Sequence, residues 1–139
     1  SNLQKILEEN PSIQVVIDLH RDGVAESTRL VTEQNGKKMA QIMFFNGLSR
    51  TTSIGDIAYL KNPYIEDNLA FSFQMQLAAA EYYPGLTRRI YLKGYRYNMH
   101  FCPKSLLVEV GAQTNTLKEA QNSMEPLADL LGKVLGGEE

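Results

Sequence analysis

The sequence predicts an α/β domain: a mixed, twisted sheet with flanking helices and an inserted β-hairpin. Three observations carry that reading. Two apolar runs, "IQVVIDL" (13–19) and "SLLVEVG" (105–111), have the length and β-branched content of buried strands. Segments with helical spacing alternate with them, the order expected of a layered α/β fold. Asn35-Gly36 sits between two strand-like runs, the strongest short hairpin signal.

In chain order, Leu3, Ile6 and Leu7 suit one face of a short helix that stops near Asn10-Pro11. Residues 13–19 follow as a strand covered on both faces. "TRLVTEQ" (28–34) and "KKMAQIMFF" (37–45) are the hairpin arms, and "NGLSRTTSIGD" (46–56) is a loop. Asn62-Pro63 reads as an N-cap and a first helical position. Ile65, Leu69, Phe73, Leu77 and Ala80 then mark a helix face that ends before Pro84-Gly85. "RRIYLKGY" (88–95) alternates like a strand, and 105–111 is the second buried strand. Thr116 and Glu119 have capping-box spacing. A closing helix presents Leu117, Ala120, Met124, Leu127, Leu131 and Val134, with Pro126 as a predicted kink.

The chain has 139 residues, 43% hydrophobic and 22% charged, which fits one domain over 1–139 with 136–139 as a frayed tail. The net charge of −2 argues against a general nucleic-acid binder. "KGYRYNM" (93–99) partly matches an aromatic RNA-binding strand, but Arg96 and Asn98 break the pattern and the element order is wrong. No nucleic-acid partner is expected. No apolar stretch approaches the roughly 20 residues of a membrane span. The opening "SNLQKILEEN" reads as the tail of a helix, so an excised fragment is expected. Cys102 is the single cysteine, which rules out an intrachain disulfide and a Cys-based zinc site.

Two polar residues stand out on the two apolar runs. His20 ends the first, and Glu109 interrupts the second between Val108 and Val110. Ligands of open α/β sheets bind beyond the carboxyl ends of strands, where this pair could meet. An imidazole can ligate zinc, and a carboxylate can act as general base. Each residue also has a structural reading: a satisfied histidine at a strand exit, and a glutamate paired to an arginine such as Arg96. Asp18 shares the side of the strand with His20 and can orient its ring, or cap a loop instead. His100 and Cys102 read as a loop histidine and a packing residue. Arg88, Arg89, Lys93 and Arg96 form a local basic patch, either a solvated face or a seat for an anionic substrate group.

"VVIDLHRDG", the hairpin "VTEQNGKKMAQIMFFNG", "RYNMH" and "SLLVEVGAQTNTLKEAQNS" together resemble the C-terminal part of the stage II sporulation protein P family. The likeness spans about residues 3–135. That family is similar to zinc-dependent N-acetylmuramoyl-L-alanine amidases. The resemblance implies cleavage of the amide between N-acetylmuramic acid and the L-alanine of the peptidoglycan stem by a zinc-activated water, during engulfment. It implies His20 as a zinc ligand and Glu109 as the catalytic acid/base, with Asp18 behind His20. Arg96 and Asn98 are candidates for substrate contact by position. It further implies stage II sporulation protein D as a partner, and an extracytoplasmic, membrane-anchored full-length protein. The family pattern has a second histidine and a glutamate ligand before the position of His20. Only nineteen residues precede His20 here, none is histidine, and Glu8 and Glu9 do not match. The expectation is therefore an incomplete amidase domain with an incomplete zinc site, inactive alone and exposing a sheet edge that favours self-association. The alternative is a degenerate domain that binds peptidoglycan or a partner without cutting.

Overall fold

Apart from Lys104 and Glu109, the stretch 104–112 carries no charge, and it becomes an inner strand of the sheet. The computed structural model describes residues 2–51, 55–58 and 61–136. Its helices are α1 (Asn2–Glu9), α2 (Ile65–Tyr82), α3 (Leu117–Asn122) and α4 (Met124–Leu135). Its strands are β1 (Val15–Asp22), β2 (Val31–Gln34), β3 (Lys37–Ala40), β4 (Ile42–Gly47), β5 (Arg50–Thr51), β6 (Gly55–Asp56), β7 (Tyr91–Lys93) and β8 (Lys104–Ala112). The main sheet has the order β1-β8-β4-β7. β1 runs parallel to β8, β8 antiparallel to β4, and β4 parallel to β7. The domain is thus α/β with a mixed sheet and flanking helices, as the sequence predicts.

Alternation along β4 and β8 gives the sheet two different faces. Ile42 and Phe44, with Leu106, Val108 and Val110, point to one side. There they pack against Phe71, Met75 and Ala79 of α2 and Leu127 and Leu130 of α4. Tyr83 clamps these helices by donating to Asp129 at 2.6 Å, which pushes the phenol pKa up to about 12. Met43, Phe45 and Leu107 form a smaller cluster on the opposite face. α2 and α4 lie on the other side of the sheet from that cluster, and the candidate site lies there.

Several sequence expectations change. The run 13–19 is not covered on both faces. Among the described strands β1 pairs only with β8, and Ile17 and Leu19 are 37% and 52% exposed. The hairpin forms at Asn35-Gly36, with φ of 53° and 78°, as a tight turn of this kind requires. Its second arm breaks at Gln41, however, and β4 leaves to join β8. There Ile42 and Phe44 join Val110 in the main core cluster. The loop 46–56 holds the end of β4 and the short β5–β6 pair, while 52–54 lie outside the described residues.

Asn62 is not the N-cap. Its Oδ1 accepts from the Tyr64 amide at 2.8 Å, and the helix starts at Ile65. The buried face of α2 is Asn68, Phe71, Ser72, Met75 and Ala79, and the predicted Phe73 and Leu77 are more than half exposed. Both stripes carry apolar residues, so period alone could not choose. The buried stripe also carries Asn68, which donates to the carbonyls of Cys102 and Pro103 at 3.0 and 2.8 Å. The capping box at Thr116 and Glu119 is present. The closing helix divides at Ser123 instead of kinking at Pro126. A proline in the first turn of α4 needs no amide hydrogen, so the chain restarts the helix just before it. Leu117 is 74% exposed and not part of the core. Of the predicted 136–139 tail, only Gly136, the C-cap of α4, is described.

Candidate functional site

Strand register assembles the site. His20 is the register partner of Glu109 across β1–β8, and Met43 is the partner of Glu109 across β8–β4. One row further along, Asp18, Leu107, Phe45 and Tyr91 line up across all four strands. Register partners point to the same face, so these side chains share the face opposite α2 and α4. All but Asp18 line an open depression of about 420 Å³. Met43, Phe45 and Leu107 form its floor, Tyr91 and Tyr97 an aromatic wall, and His20, Asp22, Arg88, Lys93 and Glu109 its polar groups.

Glu109 is the central polar group. Its Oε2 is buried and accepts no hydrogen bond among the described residues. A buried carboxylate oxygen without a donor is unfavourable, and native proteins keep few of them. Burial raises its pKa above the ordinary value, and the negative Asp22 adds to the rise. Arg88 and His20 oppose it. Asp22 is held by Arg88, Nη1 to Oδ2 at 2.9 Å. His20 contacts Asp18, Nε2 to Oδ1 at 2.9 Å.

The aromatic wall depends on a glycine. A Cβ on Gly47 would lie 2.2 Å from the Tyr95 carbonyl oxygen and 2.8 Å from Tyr97 Cδ2. Without it the chain turns tightly at Tyr97, with φ of 55°. The Tyr97 ring then meets Phe45 edge-on at 5.0 Å, while Tyr91 stacks on Phe45 at 5.2 Å.

The residues after Glu109 act as a latch. Gly111, at φ of 59°, has Asn115 Oδ1 and Ala40 Cβ packed where a Cβ would stand. Asn115 accepts from the Ala112 amide and donates to the Leu30 carbonyl, and Thr114 donates to the Thr28 carbonyl. Gln113 binds both backbone groups of Val24, and Arg29 pairs with Glu119 at 2.5 Å. The Thr116 amide holds the Glu119 carboxyl below the usual range, with Asn115 and Arg29 assisting against its burial. "GAQTNT" therefore ties the segment leaving β1 to the end of β8. That fixes the two strands bearing His20 and Glu109 relative to each other.

The structure brings His20, Asp18 and Glu109 together. It does not bring Arg96 to this depression: Arg96 donates to the Lys61 carbonyl at 3.2 Å, and Arg88 stands near Glu109 instead. Asn98 lines a neighbouring depression with Asp18, and Tyr97 and Leu107 border both. His100 stacks on Phe101, and Cys102 is buried, donating to the Gln14 carbonyl. Arg88 and Lys93 were legible as a basic patch but not as lining one depression with Glu109. The missed floor and wall had one signal, the i, i+2 spacing of Met43 with Phe45 and of Tyr91 with Lys93.

A zinc site needs three or four protein ligands. Among the described residues, no group of three or more His, Cys, Asp or Glu side chains is disposed to hold a metal ion. These residues alone do not fit a complete zinc site.

The family model for stage II sporulation protein P matches residues 1–132. Stage II sporulation protein P of Bacillus subtilis (strain 168) is 26% identical over 133 residues, 92% of this chain. The chain spans 30% of that protein's length. No solved structure matches the chain. With the match running through the strands of His20 and Glu109 and the latch that joins them, the chain belongs to the stage II sporulation protein P family.

Proposed function

We propose that this chain is the C-terminal part of a sporulation amidase. Its reaction is hydrolysis of the bond between N-acetylmuramic acid and the L-alanine of the peptide stem. The observation that supports this most is the donor-free, buried Oε2 of Glu109 in an open depression. Such an oxygen is free to take a proton from an attacking water and pass it to the departing amine. Burial makes it a better base than an exposed glutamate. Asp22 and Arg88 set the local charge, and Asp18 orients His20. In this proposal His20 is one ligand of a zinc ion whose other ligands come from outside the described residues. Peptidoglycan is the substrate and stage II sporulation protein D the partner. The full-length protein acts outside the cytoplasm, anchored to the membrane.

The test is Glu109→Gln in the full-length protein, assayed on purified peptidoglycan. General acid–base catalysis contributes about 10²–10⁴-fold, so hydrolysis falls by that much while wall binding persists. Undiminished hydrolysis overturns the assignment. The second reading is a domain that grips peptidoglycan or a partner without cutting. It is favoured by the single histidine beside Glu109, and it predicts binding without hydrolysis in the wild type as well.

A further inference from the structure

We propose that Lys93, flanked by Tyr91 and Tyr97, reads a free carboxylate on the second residue of the peptide stem. The proposal rests on amide hydrolysis at Glu109 and names the selectivity of that same depression.

The charges in the depression are mostly matched. Asp22 is bound by Arg88, which leaves that guanidinium engaged. No described carboxylate pairs with Lys93. Its ammonium sits 5.5 Å from the centroid of the Tyr91 ring. Tyr97 lines the same depression, and Lys93 acts on its phenol electrostatically. An unpaired cation beside an aromatic ring, on an exposed strand, is open to an incoming anion.

Register gives the span. Glu109 faces Met43, and Lys93 faces Gly47, four residues further along β4. Strand rise and strand spacing put the two Cα atoms about 16 Å apart. The Lys93 ammonium lies beside the ring of Tyr91, which is two residues nearer to Glu109. The same arithmetic puts the Tyr91 and Glu109 Cα atoms about 12 Å apart, the scale of the gap that a substrate must span.

A peptide stem has a matching length. Its second residue is a glutamate linked through its side chain, so its α-carboxyl is free or amidated. An extended chain advances about 3.3–3.6 Å per residue, which places this group about 7 Å beyond the scissile bond. The attacking water adds about one hydrogen-bond length between that bond and Glu109. The carboxyl of the third residue lies too far out.

The test uses the full-length protein and soluble muropeptides of three kinds: all carboxyls free, amidated only at residue two, and amidated only at residue three. Affinity is read by calorimetry, and kcat and KM by product release. The wild type is expected to favour the free acid at residue two by about tenfold in Kd and KM, the scale of one charge-assisted hydrogen bond. Lys93→Gln abolishes the preference and Lys93→Arg keeps it. Equal handling of the acid and the residue-two amide by the wild type overturns the proposal. So does a preference that survives Lys93→Gln, or one that follows residue three. If nothing is cut but the binding preference is lost in Lys93→Gln, the subsite stands and the amidase reading falls.

Discussion

His20 and Glu109 are register partners on adjacent parallel strands, and they face the same side of the sheet. That relationship makes a shared site possible, and it also states what the site lacks. One imidazole beside one carboxylate is too few donors for tight zinc. The isolated chain is therefore expected to bind zinc weakly, and the full-length protein tightly and near one equivalent. His20→Ala in the full-length protein should lower its zinc content and its hydrolysis together. The circular dichroism spectrum should be preserved, because His20 is half exposed on an edge strand. Full metal content in the variant would remove His20 from the ligand set.

Glu109 carries a second prediction, in pH. A general base works when ionised, so the acid limb of kcat/KM marks its titration. Burial and Asp22 raise that pKa, and Arg88 lowers it. Asp22→Asn removes a raising charge and frees Arg88, so the limb should move to lower pH. Arg88→Gln removes a lowering charge, so the limb should move to higher pH. Shifts of the same sign in both variants would mean that another group is titrating.

These neighbours show why the sequence revealed only part of the site. His20 and Glu109 stood out because one ends an apolar run and the other interrupts one, and both readings left the structural role open. Their meeting depends on the register of β1 against β8, which neither segment specifies alone. Arg88 reaches Asp22 because the chain pairs with Ile42 at Thr87 before β7 begins, a long-range contact without local signature. Arg96 lay equally close in sequence to the strand and turned away to the Lys61 carbonyl. The same limit applies to the fold. Asn-Gly and the capping box act within a few residues and were legible. The buried face of α2 depends on which side meets β4 and β8, and there the apolar spacing pointed to the wrong stripe. The exposure of Ile17 and Leu19 was hidden because an apolar run implies a cover without saying which part of the chain supplies it.

Gly47 ties backbone packing to the site. An alanine there would set its methyl 2.2 Å from the Tyr95 oxygen and 2.8 Å from the Tyr97 ring. Neither the Tyr95 carbonyl nor the Arg96 backbone carbon, 2.9 Å away, is the free end of a flexible side chain. The loop must shift, and Tyr97 must leave Phe45. Gly47→Ala should lose about 1–3 kcal/mol, the usual range for overpacking, read as a lower Tm by circular dichroism. It should also raise KM more than it lowers kcat, because Tyr97 borders the depression while Glu109 lies on another strand. An unchanged Tm would refute the close approach.

The open edge of β1 makes the last prediction. Ile17 and Leu19 are exposed beside backbone that pairs with no other described strand. Leu19 also borders an apolar groove with Val110, Ala120 and Met124. An unpaired apolar edge offers a second chain both hydrogen bonds and hydrophobic contact. The isolated chain should therefore self-associate with concentration in sedimentation experiments, and Leu19→Lys should suppress this. α2 supplies an internal control, since Phe73 and Leu77 are 57% and 55% exposed but offer no free backbone groups. Phe73→Lys should weaken association less than Leu19→Lys. The reverse order would assign the contact to the α2 surface, where apolar area alone drives it, and leave the β1 edge without a role in self-association.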